Sequence, residues 1–458
     1  MKFYVGNVHT TLETDHPKLV DVLVKKYTRK VPGAYYSTAY KRGWNGEKSF
    51  VTPKGRFGTG LLGHIREDLE RVGLDYEIQD DRELYPLRDY QVDGLTLRDY
   101  QDKFVKAALD ERRCIIKAPT AAGKTPMLAA LLQAIGDRKG VIFFTKKSIL
   151  VQTLEFLEKF GFEVGVCFGE GFILKDIMLC TIQSVDKIID THLDSEFIMF
   201  DEVHEFPNGK LGKAALNSFP NASVRIGMTA TVQREDIPKL TLISALGKVI
   251  DETSVSELVE KGWLTPPEIT VIDLPDKSSV DDIGSNYNDY YHKYIITDED
   301  RNNTIKSLVD EAQKGAHSKV LILVKNIEHA EILNDLIIGS RIVKGDLSLS
   351  ERNKATKDFV GEDHGVIIGT VVFQTGINIP EITHYINARG LKSEIATIQA
   401  MGRALRKHES KDKVQIFDFM DKVPYLVNHA KERIKAYKRL DLEVTIDGER
   451  FREVKKGN

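Results

Sequence analysis

The sequence predicts an α/β protein: two tandem domains built on parallel sheets, preceded by a small α+β domain. Three observations carry this. From Leu97 to about Leu264, continuous β-rich apolar runs alternate with helical patterns, as strands buried on both faces of a parallel sheet require. Pro266-Pro267 then breaks the chain, and a second series of the same kind follows. Finally, 458 residues exceed what one hydrophobic core usually serves, so about three domains are expected.

Residues 1–86 are expected to form the α+β domain, an accessory nucleic-acid-binding element. Strand-like segments cover Lys2–Val5, Tyr35–Lys41, Ser49–Thr52 and Tyr76–Gln79, and helical ones lie near His16–Lys26 and Gly60–Val72. The net charge of −3 hides an asymmetry: ten Lys/Arg between Lys25 and Arg66 face one acid, Glu47. From Glu67 to Glu83 the balance reverses, to eight acids against Arg71 and Arg82. The basic stretch is interleaved with aromatics, among them Tyr35, Tyr36, Tyr40 and Trp44. Cations neutralise phosphates while rings stack on bases, so Lys41, Arg42 and Trp44 are candidate DNA contacts. Arg42-Gly43-Trp44-Asn45-Gly46-Glu47 reads as a turn with the tryptophan at its tip. A solvated face beside a small aromatic core is the other reading of the same residues.

The first sheet domain spans 87–265. Leu87-Arg88-Asp89-Tyr90-Gln91 recurs as Leu97-Arg98-Asp99-Tyr100-Gln101, and only the second copy leads into an amphipathic helix, so the first reads as linker. Gln101 is suited to reading an adenine edge by paired hydrogen bonds. The run Cys114-Ile115-Ile116 is followed by Ala118-Pro119-Thr120-Ala121-Ala122-Gly123-Lys124-Thr125 and a helix from Met127 to Ile135. A strand–loop–helix ending in Gly-Lys-Thr cradles phosphates on the amides of Thr120, Ala121, Ala122 and Gly123. Lys124 then reaches the terminal phosphates and Thr125 a Mg²⁺ ion. The pattern asks for Gly where this chain has Ala118, which implies ordinary negative φ there. Further runs lie at Val141–Phe144, Val164–Cys167, Met178–Thr181, Phe197–Phe200 and Arg225–Thr229. The run Phe197–Phe200 ends in Asp201-Glu202-Val203-His204, where Asp201 can hold Mg²⁺ and Glu202 can orient a water. Loop and acidic pair together specify an NTPase using ATP and Mg²⁺.

The second sheet domain, 266–427, has runs at Val320–Val324, Arg341–Val343, Val366–Gly369, His384–Asn387 and Val414–Phe417. It has no phosphate loop of its own, which suggests that it completes a shared nucleotide cleft. Residues 428–458 read as a basic helix, Asn428–Leu440, and a hairpin around Asp447-Gly448. Cys114, Cys167 and Cys180 lie in apolar runs without metal-ligand spacing, as buried thiols of a cytoplasmic protein would. No apolar stretch approaches the ~20 residues that span a bilayer, so no membrane partner is expected. A monomer is expected.

The ordered motifs resemble those of superfamily 2 helicases from about Leu97 to Asp421. Gln101 fits the adenine motif, Lys124 and Thr125 the first motif, Asp201–His204 the DExH box, and Thr229-Ala230-Thr231 the coupling motif. Gly369-Thr370 and Gln374-Thr375-Gly376-Ile377-Asn378 fit the fifth motif, and Gln399 to Arg406 the sixth. Arg225–Thr231, then Arg234-Glu235-Asp236, looks like XPB-type translocases. Phe373–Ile377 and Gly402–His408 look closer to tailed-phage UvsW-type helicases, which also carry a small N-terminal domain with a Trp-containing turn.

The resemblance implies RecA-like sheet domains and a DNA motor for branch migration, fork regression and annealing, in recombination, repair or replication of a phage-infected cell. It implies Glu202 as the base, Arg406 with Arg403 as arginine fingers, Gly376 and Gln399 near nucleotide, and His204, Thr229 and Thr231 as coupling residues. The DNA partner would be branched or forked, and Thr145, Lys146, Thr181, Gln183, Lys325 and Thr370 would contact it at strand ends opposite the nucleotide. Two departures stand out: Asn378 replaces a common Asp, and Thr145-Lys146-Lys147-Ser148 lacks the usual Pro-Thr start. An RNA helicase and the motor subunit of a restriction-type complex are the alternatives.

Overall fold

The computed structural model describes residues 1–231, 236–277, 286–345, 347, 349–370 and 379–447. It comprises two compact units, Met1–Glu252 and Thr253–Asn458. The first unit opens on six short strands: β1 (Lys2–Val5), β2 (His9–Glu13), β3 (Thr28–Lys30), β4 (Glu47–Ser49), β5 (Arg56–Gly58) and β6 (Glu77–Asp80). Strands β5-β2-β1-β6 form one sheet and β3-β4 a separate antiparallel ribbon. Phe3, Val5 and Leu12 alternate inward, where Leu23 of helix Pro17–Lys26 and Ile65 and Leu69 of helix Leu62–Arg71 meet them.

The strand expected over Tyr35–Lys41 is absent. Gly33, at φ +69°, starts a 3₁₀ turn over Ala34–Tyr36, and Ser37 Oγ accepts from Tyr40 N–H at 3.1 Å to cap a short helix, Thr38–Lys41. An N-terminal serine satisfies an otherwise orphaned helix donor, and that local bond outweighs the strand-like pattern.

Eight strands follow in this unit: β7 (Arg113–Lys117), β8 (Gly140–Phe144), β9 (Gly165–Phe168), β10 (Gly171–Ile173), β11 (Ile177–Thr181), β12 (Phe197–Asp201), β13 (Val224–Thr229) and β14 (Lys248–Ile250). Their order is β10-β9-β11-β8-β12-β13-β7-β14, parallel throughout except for β9–β10. Both faces are covered, which is why the runs are continuously apolar.

The N-terminal sheet is not a free appendage. Phe3, Leu61 and Ile65 share one core cluster with Ile243 and Leu246 of helix Asp236–Leu246. The backbones meet at Gly60, where a Cβ would lie 2.0 Å from Ile243 O and 2.4 Å from Gly247 N. Lys48 Nζ crosses to Thr241 Oγ1 at 2.9 Å, and burial lowers its ammonium to about 8. The linker is pinned as well. Arg112 Nη1 donates to Tyr85 O at 2.7 Å, and the guanidinium of Arg138 lies 4.7 Å from the Tyr85 ring. In the first repeat copy, Arg88 N–H donates to Ala134 O and Tyr90 Oη to Asp102 Oδ1.

The second unit holds β15 (Pro267–Asp273), β16 (Ser318–Leu323), β17 (Ser340–Val343), β18 (His364–Gly369), β19 (His384–Asn387), β20 (Val414–Met420) and β21 (Val444–Asp447). Their order is β17-β18-β16-β19-β20-β15-β21, with parallel neighbours. Pro267 therefore begins a strand, a position that tolerates the missing donor. β21 joins β15 in parallel, and the rest of the expected hairpin, beyond Asp447, lies outside the described residues. Among the described residues no helix is long and apolar enough to cross a membrane.

Gly60→Ala is expected to destabilise the protein by about 1–3 kcal/mol, because overpacking here meets backbone rather than a side chain. Gly63→Ala serves as control, since nothing lies within 4 Å of its added Cβ. Thermal melts should show a lower midpoint for the first than for the second; equal midpoints would refute the close approach.

Candidate functional site

The chemistry gathers on the carboxyl edge of the first unit's parallel sheet. β13 lies between β7, which feeds the phosphate loop, and β12, which ends at Asp201. That order lets Lys124 Nζ reach Glu202 Oε1 at 2.9 Å across a separation of 78 residues. Both side chains are only 14% exposed, so the pair is shielded from solvent.

The loop is shaped by two left-handed residues, Ala121 at φ +71° and Gly123 at φ +74°. Ala118 keeps an ordinary φ and is buried, with its N–H donating to Thr229 O at 2.9 Å. Left-handed alanine costs about 1–2 kcal/mol, so the strain sits at Ala121 rather than at the first position of the motif. Helix Lys124–Ile135 starts directly after Gly123, with Lys124 and Thr125 in its first turn. The helix Asp99–Glu111 braces the loop from behind: Tyr100 Oη and Gln101 Nε2 donate to Ala122 O at 2.9 and 2.8 Å. Gln101 Nε2 also lies 3.3 Å from Gly123 O, while its Oε1 accepts from Arg98 N–H at 2.9 Å. Both ends of the Gln101 amide are thus engaged, and reading a base edge requires giving up one of these bonds. A Cβ on Gly123 would sit 2.3 Å from Gln101 Nε2, so a side chain there would push the amide off Ala122 O as well as strain φ.

Glu202 also has a left-handed backbone, φ +48° and ψ +50°, at the entry to the 3₁₀ segment Val203–Asn208. A non-glycine in this region costs of order 1–3 kcal/mol and is held only by its surroundings. Burial alone would raise the Glu202 carboxyl, but Lys124 and His204 outweigh it and hold it well below the usual carboxylate range. Asp201 moves the other way: burial and the neighbouring Glu202 charge push it up. A divalent cation at Asp201 would favour its ionised form.

His204 Nδ1 lies 2.9 Å from Thr229 Oγ1, which donates to Thr231 O at 2.8 Å. The structure thus joins His204, Thr229 and Thr231 in one chain of contacts between the ends of β12 and β13. Among the described residues, buried Thr120 Oγ1 and Thr231 Oγ1 have no hydrogen-bond partner, and Glu202 Oε2 meets only the His204 ring, at 3.4 Å. Orphaned polar atoms around a left-handed loop and a helix N-terminus fit a phosphate and its cation, and the donor set fits Mg²⁺.

Thr145 and Lys146 follow β8, while Thr181 ends β11 and Gln183 follows it. They occupy the same carboxyl edge as the phosphate loop, on the far side of β12, rather than the opposite strand ends. Lys146 Nζ lies 3.6 Å from Glu205 Oε1, and His204 Nε2 is 4.0 Å from the same oxygen. In the second unit, exposed Lys325 follows β16 with its ammonium 4.6 Å from the Tyr291 ring, and Thr370 follows β18. Gln399 and Arg403 ride helix Glu394–Ala404, and Arg406 follows it. Burial lowers the Arg406 guanidinium, whose main chain bridges Leu264. Gly376, Asn378, Arg234 and Glu235 lie outside the described residues.

In the N-terminal sheet domain, Lys41 and Arg42 are exposed, but Trp44 is half-buried and its indole N–H donates to Glu47 O at 3.0 Å. The exposed rings are instead Tyr35 and Tyr36, at 70% and 82%. Sequence alone does not show their exposure, because the stretch reads as a half-buried strand.

Comparison with known proteins agrees with this geometry. The family model described as "Type III restriction enzyme, res subunit" matches residues 94–234, and "Helicase conserved C-terminal domain" matches 300–408. A helicase-like protein of a Sulfolobus islandicus filamentous virus is 26% identical over 365 residues, covering 72% of this chain and 65% of the viral protein. The chain therefore spans just under two thirds of that relative. The ATP-dependent DNA helicase uvsW of Enterobacteria phage T4 is 25% identical over 376 residues, 74% of each chain. The DNA 3'-5' translocase XPB2 of Sulfurisphaera tokodaii is 25% identical over 426 residues, 84% of this chain and 94% of that one. Among solved structures, an ATP-dependent Type ISP restriction-modification enzyme bound to DNA, LlaBIII, shares the fold, with a TM-score of 0.57 at 15% identity over 86% of this chain and 36% of that one.

Glu202→Gln is expected to lower ATP turnover roughly 10²–10⁴-fold. ATP affinity should hold or tighten, because Lys124 no longer faces a carboxylate. Lys124→Ala should lose turnover and also melt earlier, since it strips a shielded carboxylate of its cation, a loss of order 3–5 kcal/mol. Steady-state turnover, nucleotide binding and melts separate the two; near-normal turnover in Glu202→Gln removes that residue from the chemistry.

Proposed function

Because the chain belongs to superfamily 2 of the helicases, close to its UvsW- and XPB-type members, we propose that it is an ATP-dependent DNA helicase and translocase that remodels branched DNA. Branch migration, fork regression and annealing are the reactions proposed, in the cytoplasm of an infected cell. The observation that carries the ATPase reading is the Lys124–Glu202 contact beside Asp201, beneath the left-handed loop.

Bound Mg²⁺-ATP would supply the electrophilic phosphoryl group and the metal charge. The loop amides from Thr120 to Gly123 and Lys124 would bind the phosphates, and Thr125 and Asp201 would hold the cation. Lys124 would turn from Glu202 to the phosphates, and the freed Glu202 carboxylate would orient a water and take its proton. His204, Thr229 and Thr231 sense the change at Glu202 through their shared contacts. We assign Gln101 to the base edge, Gly376 and Gln399 to nucleotide, and Arg406 with Arg403 to neutralising transition-state charge. Thr145, Lys146, Thr181, Gln183, Lys325 and Thr370 hold DNA phosphates, and Lys41 and Arg42 add an accessory contact, while half-buried Trp44 shapes the turn that carries them.

The deciding experiment measures ATPase stimulation by single-stranded DNA, duplex DNA, a four-way junction and RNA in parallel. Junction and single-stranded DNA are expected to stimulate strongly and RNA weakly; stimulation by RNA alone makes this an RNA helicase.

Arg406→Ala should lower turnover by about 10³–10⁵ with little change in ATP affinity. An equal loss of ground-state binding makes Arg406 a structural arginine. Reversing Lys41 and Arg42 to Glu should weaken junction binding and flatten its salt dependence by about 0.9 in log–log slope for each lost contact. Basal ATPase should survive, and an unchanged slope would leave those cations as solvated surface.

A further inference from the structure

The rings of Tyr35, Tyr36 and Tyr40 form an exposed aromatic cluster that no step above uses. Tyr35 and Tyr36 meet edge-on, with centroids 5.5 Å apart at 86°. Tyr35 also packs against Tyr40 at 5.6 Å and 56°. Tyr35 is thus wedged between the other two, and Tyr36 is left 82% exposed. Leaving such large apolar area in water is unfavourable, and Tyr36 belongs to no core cluster among the described residues.

The surroundings identify the occupant. The cluster sits on Ala34–Tyr36 and Thr38–Lys41, and exposed Lys30, Lys41 and Arg42 lie close by in the chain. Among the described residues these three cations form no ion pair, whereas Lys26 and Arg29 are paired with Asp68 and Asp236. An apolar protein partner gains nothing from unneutralised cations, whereas a polyanion with flat, unpaired bases satisfies both features.

We propose that Tyr36 is a stacking platform for one unpaired DNA base, buttressed by Tyr35 and Tyr40, so that this domain recognises the single-stranded part of a branched substrate. Duplex DNA cannot offer a base face without unstacking it, so the platform selects for strands already opened at a fork. This deepens the reading of the N-terminal domain as a DNA contact and rests on it. Trp44 is excluded from the role by its half-buried ring and its bond to Glu47.

The test uses the full chain and equilibrium binding to an oligothymidine strand, an abasic strand of equal length and a blunt duplex. Wild type should prefer the base-bearing strand, and Tyr36→Ala should lose roughly 5–100-fold of affinity for it alone. Tyr36→Phe should retain binding and Tyr36→Leu should lose it, because the ring face acts rather than the hydroxyl or apolarity. Salt slopes should be unchanged, unlike those of the Lys41 and Arg42 reversals. Equal binding of abasic and base-bearing strands by wild type overturns the proposal, as does wild-type affinity in Tyr36→Ala. A Tyr36→Ala change in sedimentation with unchanged DNA affinity also overturns it, making the patch a self-association surface. ATPase stimulation by DNA, measured on the same variants, keeps the failures apart: its absence in wild type sinks the motor reading, whereas its persistence confines failure to Tyr36.

Discussion

The contact between Lys124 and Glu202 is what the first unit is built to make. The two residues meet with β13 lying between their strands, because the parallel order places the phosphate loop and the acidic pair at the same sheet edge with one strand between them. Two of the six left-handed non-glycine residues among those described, Ala121 and Glu202, flank this contact. Strain of that kind is tolerated only where many other interactions over-determine the conformation. Here they include Tyr100 and Gln101 behind the loop, and the His204–Thr229 contact beside the acid. The ion pair also restrains Glu202, the proposed base, through the same lysine that is proposed to bind phosphate.

A second constraint concerns the N-terminal domain. Its sheet and the motor sheet bury side chains in one cluster, and Gly60 brings backbone against backbone. Tyr85, gripped by Arg112 and Arg138, and Arg88, whose N–H donates to Ala134 O in the last turn of the phosphate-loop helix, fix the linker to the same body. Removing residues 1–86 would therefore expose the Ile243–Leu246 surface and is a poor test of function, whereas point changes at exposed Lys41, Arg42 or Tyr36 leave the shared core untouched. A domain held this way moves with the motor sheet rather than trailing it.

The parallel strands were legible because burial on both faces writes them as unbroken apolar runs: Phe197–Asp201 and His384–Asn387 appear much as read. The phosphate loop and the acidic pair were legible because their chemistry tolerates few residue types. Less legible were three-residue strands such as Thr28–Lys30 and Arg56–Gly58, which carry too few residues for a period. Tyr35–Lys41 misled because serine capping and a left-handed glycine decide its shape, and neither registers in an alternation of large and small residues. The Lys124–Glu202 contact and the bracing role of Gln101 depend on strand order and loop path, which no local pattern encodes.

The basic C-terminal helix shows how charge in a sequence can serve the interior. Leu426–Lys438 is basic by composition, yet Arg433 is 1% exposed. Its Nε lies 3.0 Å from both oxygens of Asp418, and Tyr437 Oη donates to the same carboxylate at 2.8 Å. Burial opposes ionisation of Asp418, but Arg433 and Tyr437 overcome it and hold the carboxyl below its ordinary value. Asn387 also donates to Asp418 and accepts from Arg389, whose guanidinium points at Ala396 O in the helix bearing Gln399 and Arg403. Arg433 Nη1 reaches Leu391 O ahead of that helix, and Arg439 pairs with Glu394 in its first turn. A charge buried this way must be fully paired, so the network admits few alternative arrangements of the helix it supports. The C-terminal helix is therefore best understood as the brace that sets the position of the arginine-bearing segment, with its remaining lysines as solvated surface.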